Sequence, residues 1–161
     1  MMHMTKTNAV RLLEQAGIAC RVLTYRYDES DLSGMHAAEQ LHLPPETIFK
    51  TLVARNDRGQ ILVFCIPVCR ELDLKKAARA SGSKKIELVA VRELLSLTGY
   101  LRGGCSPVGM KKKYPTFMEE SALQFDEIGI SAGLRGCQMM VSPTKLGEYA
   151  GLCFAPLCSG I

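Results

Sequence analysis

The chain has no tryptophan, and its aromatic fraction is only 6%. A platform of aromatic side chains for stacking bases, as single-strand binders use, is not recognisable. No stretch approaches the roughly 18 apolar residues of a membrane span. Met1-Met2-His3-Met4-Thr5-Lys6 has no apolar signal core, which argues against secretion. His3 and the repeated methionine read as a start-site scar. There are three histidines, His3, His36 and His42, and none clusters with the cysteines. No two cysteines are separated by just two residues, so the usual zinc half-site spacing is missing.

What is present fits one globular domain, expected over residues 5–158. The 161 residues are 47% hydrophobic and 22% charged, which excludes disorder, collagen and coiled coil. Seven cysteines stand at 20, 65, 69, 105, 137, 153 and 158. The number is odd and no signal precedes them, so they read as reduced thiols, several packed as small apolar residues. A cytoplasmic compartment follows. The net charge of +4 and the clusters at Lys75, Lys76, Arg79, Lys84, Lys85 and Lys111 to Lys113 leave room for a weak RNA-facing patch. Such runs are most often a solvated face.

Thr7 predicts a helix cap, with Val10, Leu13 and Ala16 at helical spacing and Gly17 as the stop. Ile18 to Tyr27 predicts a strand, and Met35 to Leu41 a helix ended by Pro44-Pro45. Phe49 to Arg55 and Gln60 to Ile66 flank the turn Asn56-Asp57-Arg58-Gly59 and predict a hairpin that Pro67 breaks. Asp73 caps a helix to about Ser81, with Leu74, Ala77 and Ala78 on one side; Gly82 stops it. A strand over Ile86 to Ala90 and a helix over Val91 to Leu97 follow. Phe125 to Ile130 and Gln138 to Val141 predict strands, and Pro143 to Tyr149 a last helix. The hairpins favour a mixed α/β domain with antiparallel pairing over a doubly wound parallel sheet.

Thr98 to Lys113 holds four glycines and a proline and cannot be a regular core element. Free N–H groups in such a loop could hold a phosphate or a developing oxyanion. The segment lacks the Walker pattern, and Ser106 lacks both the nucleophile-elbow glycine frame and a histidine to activate it. Cys105 lies in the loop near Arg102 and Lys111 to Lys113, a cationic setting that lowers a thiol pKa. Lys50 opens an apolar strand, a place usually held by a solvated strand end.

Four blocks then align in order: Phe49-Lys50-Thr51-Leu52-Val53, Leu72-Asp73-Leu74-Lys75-Lys76-Ala77-Ala78, the glycine-rich run from Thr98 to Lys112, and Ser131-Ala132-Gly133-Leu134-Arg135-Gly136. Together they resemble the YbaK family, over nearly the whole chain from Thr7 to about Gly151. The resemblance implies a free-standing aminoacyl-tRNA deacylase related to the editing domain of bacterial prolyl-tRNA synthetases. It implies a single α+β domain with a largely antiparallel, barrel-like sheet and short surrounding helices. It implies release of cysteine from Cys-tRNA(Pro), with the substrate's own thiol attacking the ester and a thiolactone leaving, a reaction formally of a lyase or a hydrolase. Lys50, Gly103 and Gly104 match the catalytic positions, and Tyr25, Thr51 and Ser131 the substrate-binding ones; Tyr25 aligns with a one-residue gap. Neither cofactor nor metal is implied. The implied partners are the 3′ acceptor end of aminoacylated tRNA and prolyl-tRNA synthetase, not a membrane or DNA. A phenylalanine commonly precedes the glycine at Gly34, but Ser33 stands here, which bears on amino-acid preference. Two alternatives stay open: a deacylase for alanine or another small residue, and a non-catalytic module that binds RNA or a synthetase.

Overall fold

In a computed structural model the structure describes residues 6–159, so His3 and the start-site reading lie outside it. Eight strands form two sheets. Strands β1 (Cys20–Thr24), β7 (Cys137–Val141) and β6 (Ile128–Ser131) make an antiparallel sheet in the order β1-β7-β6. The second sheet runs β4-β2-β3-β5-β8, from β2 (Phe49–Asn56), β3 (Ile61–Pro67), β4 (Ile86–Leu88), β5 (Thr116–Glu119) and β8 (Cys153–Ala155). Helices α1 (Asn8–Gln15), α2 (Gly34–Leu41), α3 (Leu74–Ser81), α4 (Leu94–Thr98) and α5 (Pro143–Ala150) surround them. Pairing is largely antiparallel, as the hairpins predict. The β3–β5 and β5–β8 pairs are parallel, a feature the sequence did not announce.

Local chemistry accounts for most boundaries. The Thr7 hydroxyl accepts the Val10 N–H, and the Asp73 carboxylate accepts from Lys75 and Lys76, so α1 and α3 start where their caps stand. Ala77 and Ala78 are buried, whereas Leu74, grouped with them by spacing, is exposed in the first turn. His42, not the proline pair, ends α2: it takes the left-handed conformation at φ 55° while its N–H closes the last turn. The first strand is shorter than Ile18 to Tyr27 because its partner β7 has only five residues to offer. Pro67 ends the hairpin as its last paired residue, opposite Phe49.

Alternation along each strand sorts the side chains into layers. In the three-stranded sheet Val22, Ile128, Ile130, Cys137, Met139 and Val141 face a central core. Phe49, Val63, Cys65 and Met118 enter the same core from the other sheet, with Val10 and Leu13 of α1. The far face of the larger sheet packs Ala54, Leu62, Phe64 and Ile66 on Ala77 and Ala78 of α3. A parallel bridge from Ile48 to Gly129 joins the two sheets. Leu23, Gln138 and Met140, with Gly129 and Ser131 opposite them in register, are left on the remaining face of the smaller sheet. On that face Met140 and Leu23 pack against Ala38, Ile48 and Val68, while Ser131 and Gln138 at its end line the cavity described next.

Candidate functional site

A cavity of about 440 Å³ opens where the two sheets meet α2 and the glycine-rich loop. Tyr25, Lys50, Thr51, Gly103 and Ser131 all line it. These five positions, spread over more than a hundred residues of sequence, are brought together by the fold.

Lys50 sits half-buried on β2, and among the described residues it has no carboxylate within ion-pair distance. Arg102 is the other cation of the lining, and no aspartate or glutamate is part of it. The cavity is therefore arranged to favour negative charge that develops within it.

The strand that carries Lys50 also offers main chain. The Val68 N–H donates to Ile48 O, and the Asn56 N–H donates to Gln60 O. Bond-exchanging pairs with β3 thus fall on the even-numbered residues from Ile48 to Asn56. The N–H and C=O of Phe49, Thr51 and Val53 point to the opposite edge. Strand β4 covers that edge only at Ala54–Asn56, with Val89 N–H reaching Val53 O, and the Ile48–Gly129 bridge covers the other end. Thr51 is left as an open stretch of strand edge on the cavity. Its hydroxyl is turned inward, 3.8 Å from the Cys65 sulfur.

The glycine-rich loop is closed at its base by Lys111 N–H donating to Thr98 O at 3.0 Å. Gly103 has φ +86°, a conformation that excludes a side chain at low cost. Among the described residues its N–H has no hydrogen-bond partner. Gly104 behaves differently from its sequence reading. Its N–H donates to Leu101 O at 3.0 Å, it is buried, and it does not line the cavity. A Cβ there would lie 3.2 Å from the Leu134 carbonyl carbon and the Arg135 nitrogen, so this glycine lets the loop press against the Ser131–Gly136 turn. The Arg135 Nε donates to Arg102 O at 2.8 Å across the same junction. Gly104 is thus a packing position, and Gly103 keeps the available N–H.

Burial pushes the Tyr25 hydroxyl up from its ordinary pKa, against the opposing donors Gly136 N–H and the Gln138 amide. Ser131 Oγ accepts the Gly133 N–H at 3.0 Å, which sets the turn after β6. Ser33 caps α2 by accepting the His36 N–H, and its own hydroxyl donates to Asp31 at 2.6 Å. A small polar cap thus holds the wall position where the resemblance expects an aromatic ring. Several lining residues were not singled out from the sequence, among them Gln138, Leu32 and Val68. Gln138 did leave a signal, a lone amide inside the run Cys137–Val141, every residue of which is buried.

Cys105 also corrects an expectation. Nearby cations would lower its pKa, but burial dominates and pushes the thiol up to about 11, despite a hydrogen bond with Thr98. Cys65 is pushed up to about 12 by the same cause. All seven cysteines are free thiols, with Cys69 and Cys153 exposed and Cys20 partly covered. Brief iodoacetamide treatment of the native protein at pH 7.5 should label Cys69 and Cys153 first and leave Cys65, Cys105, Cys137 and Cys158 untouched until denaturant is added. Early labelling of Cys105 in a peptide map would contradict this burial.

Comparison with known proteins follows the same lines. The sequence model of the aminoacyl-tRNA editing domain matches residues 33–149. A protein of Enterococcus faecalis (strain ATCC 700802 / V583), provisionally named Cys-tRNA(Pro)/Cys-tRNA(Cys) deacylase EbsC, is 45% identical over 150 residues, covering 90% of this chain and 92% of that one. A crystal structure given provisionally as a trans-editing enzyme for prolyl tRNA synthetase superposes with TM-score 0.79 at 25% identity, covering 94% of this chain and 93% of that one. A hypothetical protein of known structure shares the fold, with TM-score 0.84 at 22% identity, over 92% and 97% of the two chains.

Proposed function

The chain belongs to the aminoacyl-tRNA editing domain family, and from that premise we propose that it deacylates mischarged Cys-tRNA(Pro) in trans. The observation that carries the reading is Lys50: a half-buried lysine, unpaired among the described residues, on a cavity that Gly103 also lines, its N–H likewise without a partner there, and that holds no carboxylate. An ester carbonyl placed there gains a cation and a main-chain donor as its oxygen becomes negative.

The reaction needs no protein nucleophile. The substrate's thiol sulfur attacks its own ester carbonyl, a C–S bond forms, and the C–O bond to the ribose breaks. The thiol proton ends on the departing ribose oxygen, and a four-membered cysteine thiolactone leaves to be hydrolysed by water. Lys50 favours the thiolate and the tetrahedral oxyanion, and Gly103 donates to that oxyanion. Tyr25, Thr51 and Ser131 line the space for the aminoacyl group and the terminal adenosine. A buried thiol such as Cys105 has no step to perform.

A cavity of about 440 Å³ holds an aminoacyl group and part of one nucleotide, not a tRNA body. Identity of the tRNA is therefore read elsewhere, with prolyl-tRNA synthetase as the partner that delivers it in the cytoplasm. The exposed Lys111, Lys112 and Lys113 just beyond the loop are suited to acceptor-stem phosphates. The relative's name pairs cysteine with two tRNAs, which agrees with a pocket that reads the amino acid first.

The test is a panel of Cys-, Ala-, Pro- and S-methyl-Cys-tRNA(Pro). Cys-tRNA(Pro) should be released at least about a hundredfold faster than the S-methyl ester, whose sulfur cannot act as the nucleophile. Comparable release of both would point to water as nucleophile. Exclusive release of alanine would make this an alanine deacylase, an outcome to which the small Ser33 wall is relevant. No release of any ester would leave a binding module.

A further inference from the structure

We propose that Arg102 is a substrate-binding residue whose guanidinium holds the 5′-phosphate of the terminal nucleotide, the one that carries the aminoacyl ester. This rests on the deacylase reading above and adds the group that seats that nucleotide at the cavity mouth.

The cavity lining has two cations, and they differ in place. Lys50 is half-buried on β2, whereas Arg102 is exposed on the glycine-rich loop. Among the described residues the Arg102 side chain has no carboxylate within ion-pair distance. Its main chain, by contrast, is tied down: the Arg135 Nε donates to Arg102 O at 2.8 Å. The Arg135 Cγ also lies 3.6 Å from where a Cβ on Gly103 would stand. The loop is therefore clamped at the residue that carries the unpaired guanidinium, and a second guanidinium adds positive charge beside it.

The substrate's covalent structure supplies the matching anion. One ribose carries the ester on its 3′ side and a phosphodiester on its 5′ carbon, only a few bonds apart. An ester carbonyl at Lys50 and the Gly103 N–H thus brings a phosphate close by, and Arg102 is the chain neighbour of Gly103. A cavity of about 440 Å³ leaves the rest of the tRNA outside, so this phosphate lies where the chain passes the mouth. A phosphodiester is costly to strip of water, which favours the exposed cation over Lys50. Leu88 and Val91, the exposed apolar residues of the lining, offer an anion nothing. Lys111, Lys112 and Lys113 do not line the cavity and meet phosphates further along the strand. A guanidinium presents its N–H donors as a planar fork that matches two phosphate oxygens. This division of labour leaves Lys50 free for the ester.

The experiment uses three cysteine esters: of adenosine, of adenosine 5′-(methyl phosphate), which adds one phosphodiester, and of tRNA(Pro). Arg102→Ala should lower kcat/KM about ten- to thirtyfold for the two esters that carry the phosphate, and less than about threefold for the adenosine ester. The loss should fall on KM with kcat nearly unchanged, because the phosphate is bound alike in ground and transition states. Lys50→Ala, which acts on developing charge, should instead lower kcat on all three. Arg102→Lys, a point charge without the fork, should recover part of the loss. Lys75→Ala, which removes one positive charge from α3 outside the cavity lining, should change none of the three. Equal loss on the adenosine ester, no loss on any ester, or the same loss in Lys75→Ala would overturn the proposal. If wild-type protein releases none of the esters, the deacylase reading itself fails, and this inference fails with it. The Arg135 bond is made to the Arg102 main chain, which alanine keeps, so the variant should melt with wild type; should it not fold, Arg102→Gln carries the same comparison.

Discussion

Lys50→Ala should lower kcat/KM for Cys-tRNA(Pro) by about 10²–10³-fold while moving the thermal midpoint by no more than about 2 °C. The first number follows from what the lysine is asked to do. A single preorganised donor or cation aimed at developing negative charge is worth on the order of 10²–10³ in rate. Lys50 is the only ammonium of the cavity lining, and no carboxylate of the described residues neutralises it. The second number follows from how it is held. Its place on β2 is fixed by backbone pairing to Ile66, which alanine preserves, and no ion pair is lost. Lys50→Arg should not restore the rate, because a planar guanidinium spreads its charge and needs more room than a compact ammonium. Single-turnover deacylation with both variants, alongside thermal melts, checks the pair of statements. Normal turnover in Lys50→Ala would remove Lys50 from the mechanism; loss of activity with a collapsed melt would make it structural.

The contrast between Gly103 and Gly104 shows how far the sequence carries. Both glycines sit in a loop whose composition excludes regular structure, and the resemblance assigns both as donors. Which N–H is free depends on a contact with Leu101 and on the approach of the Leu134–Arg135 backbone, more than thirty residues away. Local signals served well wherever the cause was local: the Thr7 and Asp73 caps, the Asn56–Gly59 turn and the glycine stops all lie where side-chain chemistry puts them. The missed strands, β5 and β8, are four and three residues long and pair in parallel. Neither is joined to its partner by a tight turn, so no punctuation marks them. Leu74 at the start of α3 failed for a related reason, since helical spacing names a face but not where its cover ends. At the site, the resemblance named Lys50, Thr51, Gly103, Ser131 and Tyr25, and all five line one cavity. Gln138 was not legible, because an amide within an otherwise apolar strand gives no sign of lining a cavity until the other elements are placed around it.

Glu119→Ala should destabilise the protein by about 3 kcal/mol, the cost of removing a buried carboxylate that satisfies two main-chain donors. Glu119 ends β5 at 5% exposure, accepts Ser121 N–H at 2.8 Å and Leu157 N–H at 3.1 Å, and lies 3.9 Å from Arg70. Through Leu157 it fastens the last described segment, which Asp73 N–H, Lys76 Nζ and the Arg70 guanidinium hold at Leu157 O, Cys158 O and Ser159 O. Leu157 and Cys158 are fully buried against the α3 side of the larger sheet, so loosening this segment opens a core. At this chain length the loss corresponds to a fall of about 6–12 °C in Tm. The carboxylate also makes stability depend on pH. Burial alone would raise its pKa, but the N–H donors of Ser121 and Leu157, helped by Arg70, outweigh burial and hold it below the ordinary value of 4.5. Its folded pKa thus lies below its unfolded one, so its contribution is complete above the unfolded value and drains away as pH falls through the folded one. Glu119→Gln lacks that dependence. Urea melts at pH 7 should separate wild type from Glu119→Gln by about 1–2 kcal/mol, and the gap should narrow steadily below about pH 4.5. A gap that stays constant down to pH 3 would mean the carboxylate's charge contributes nothing, and that the amide loses stability through poorer hydrogen-bond geometry or packing instead.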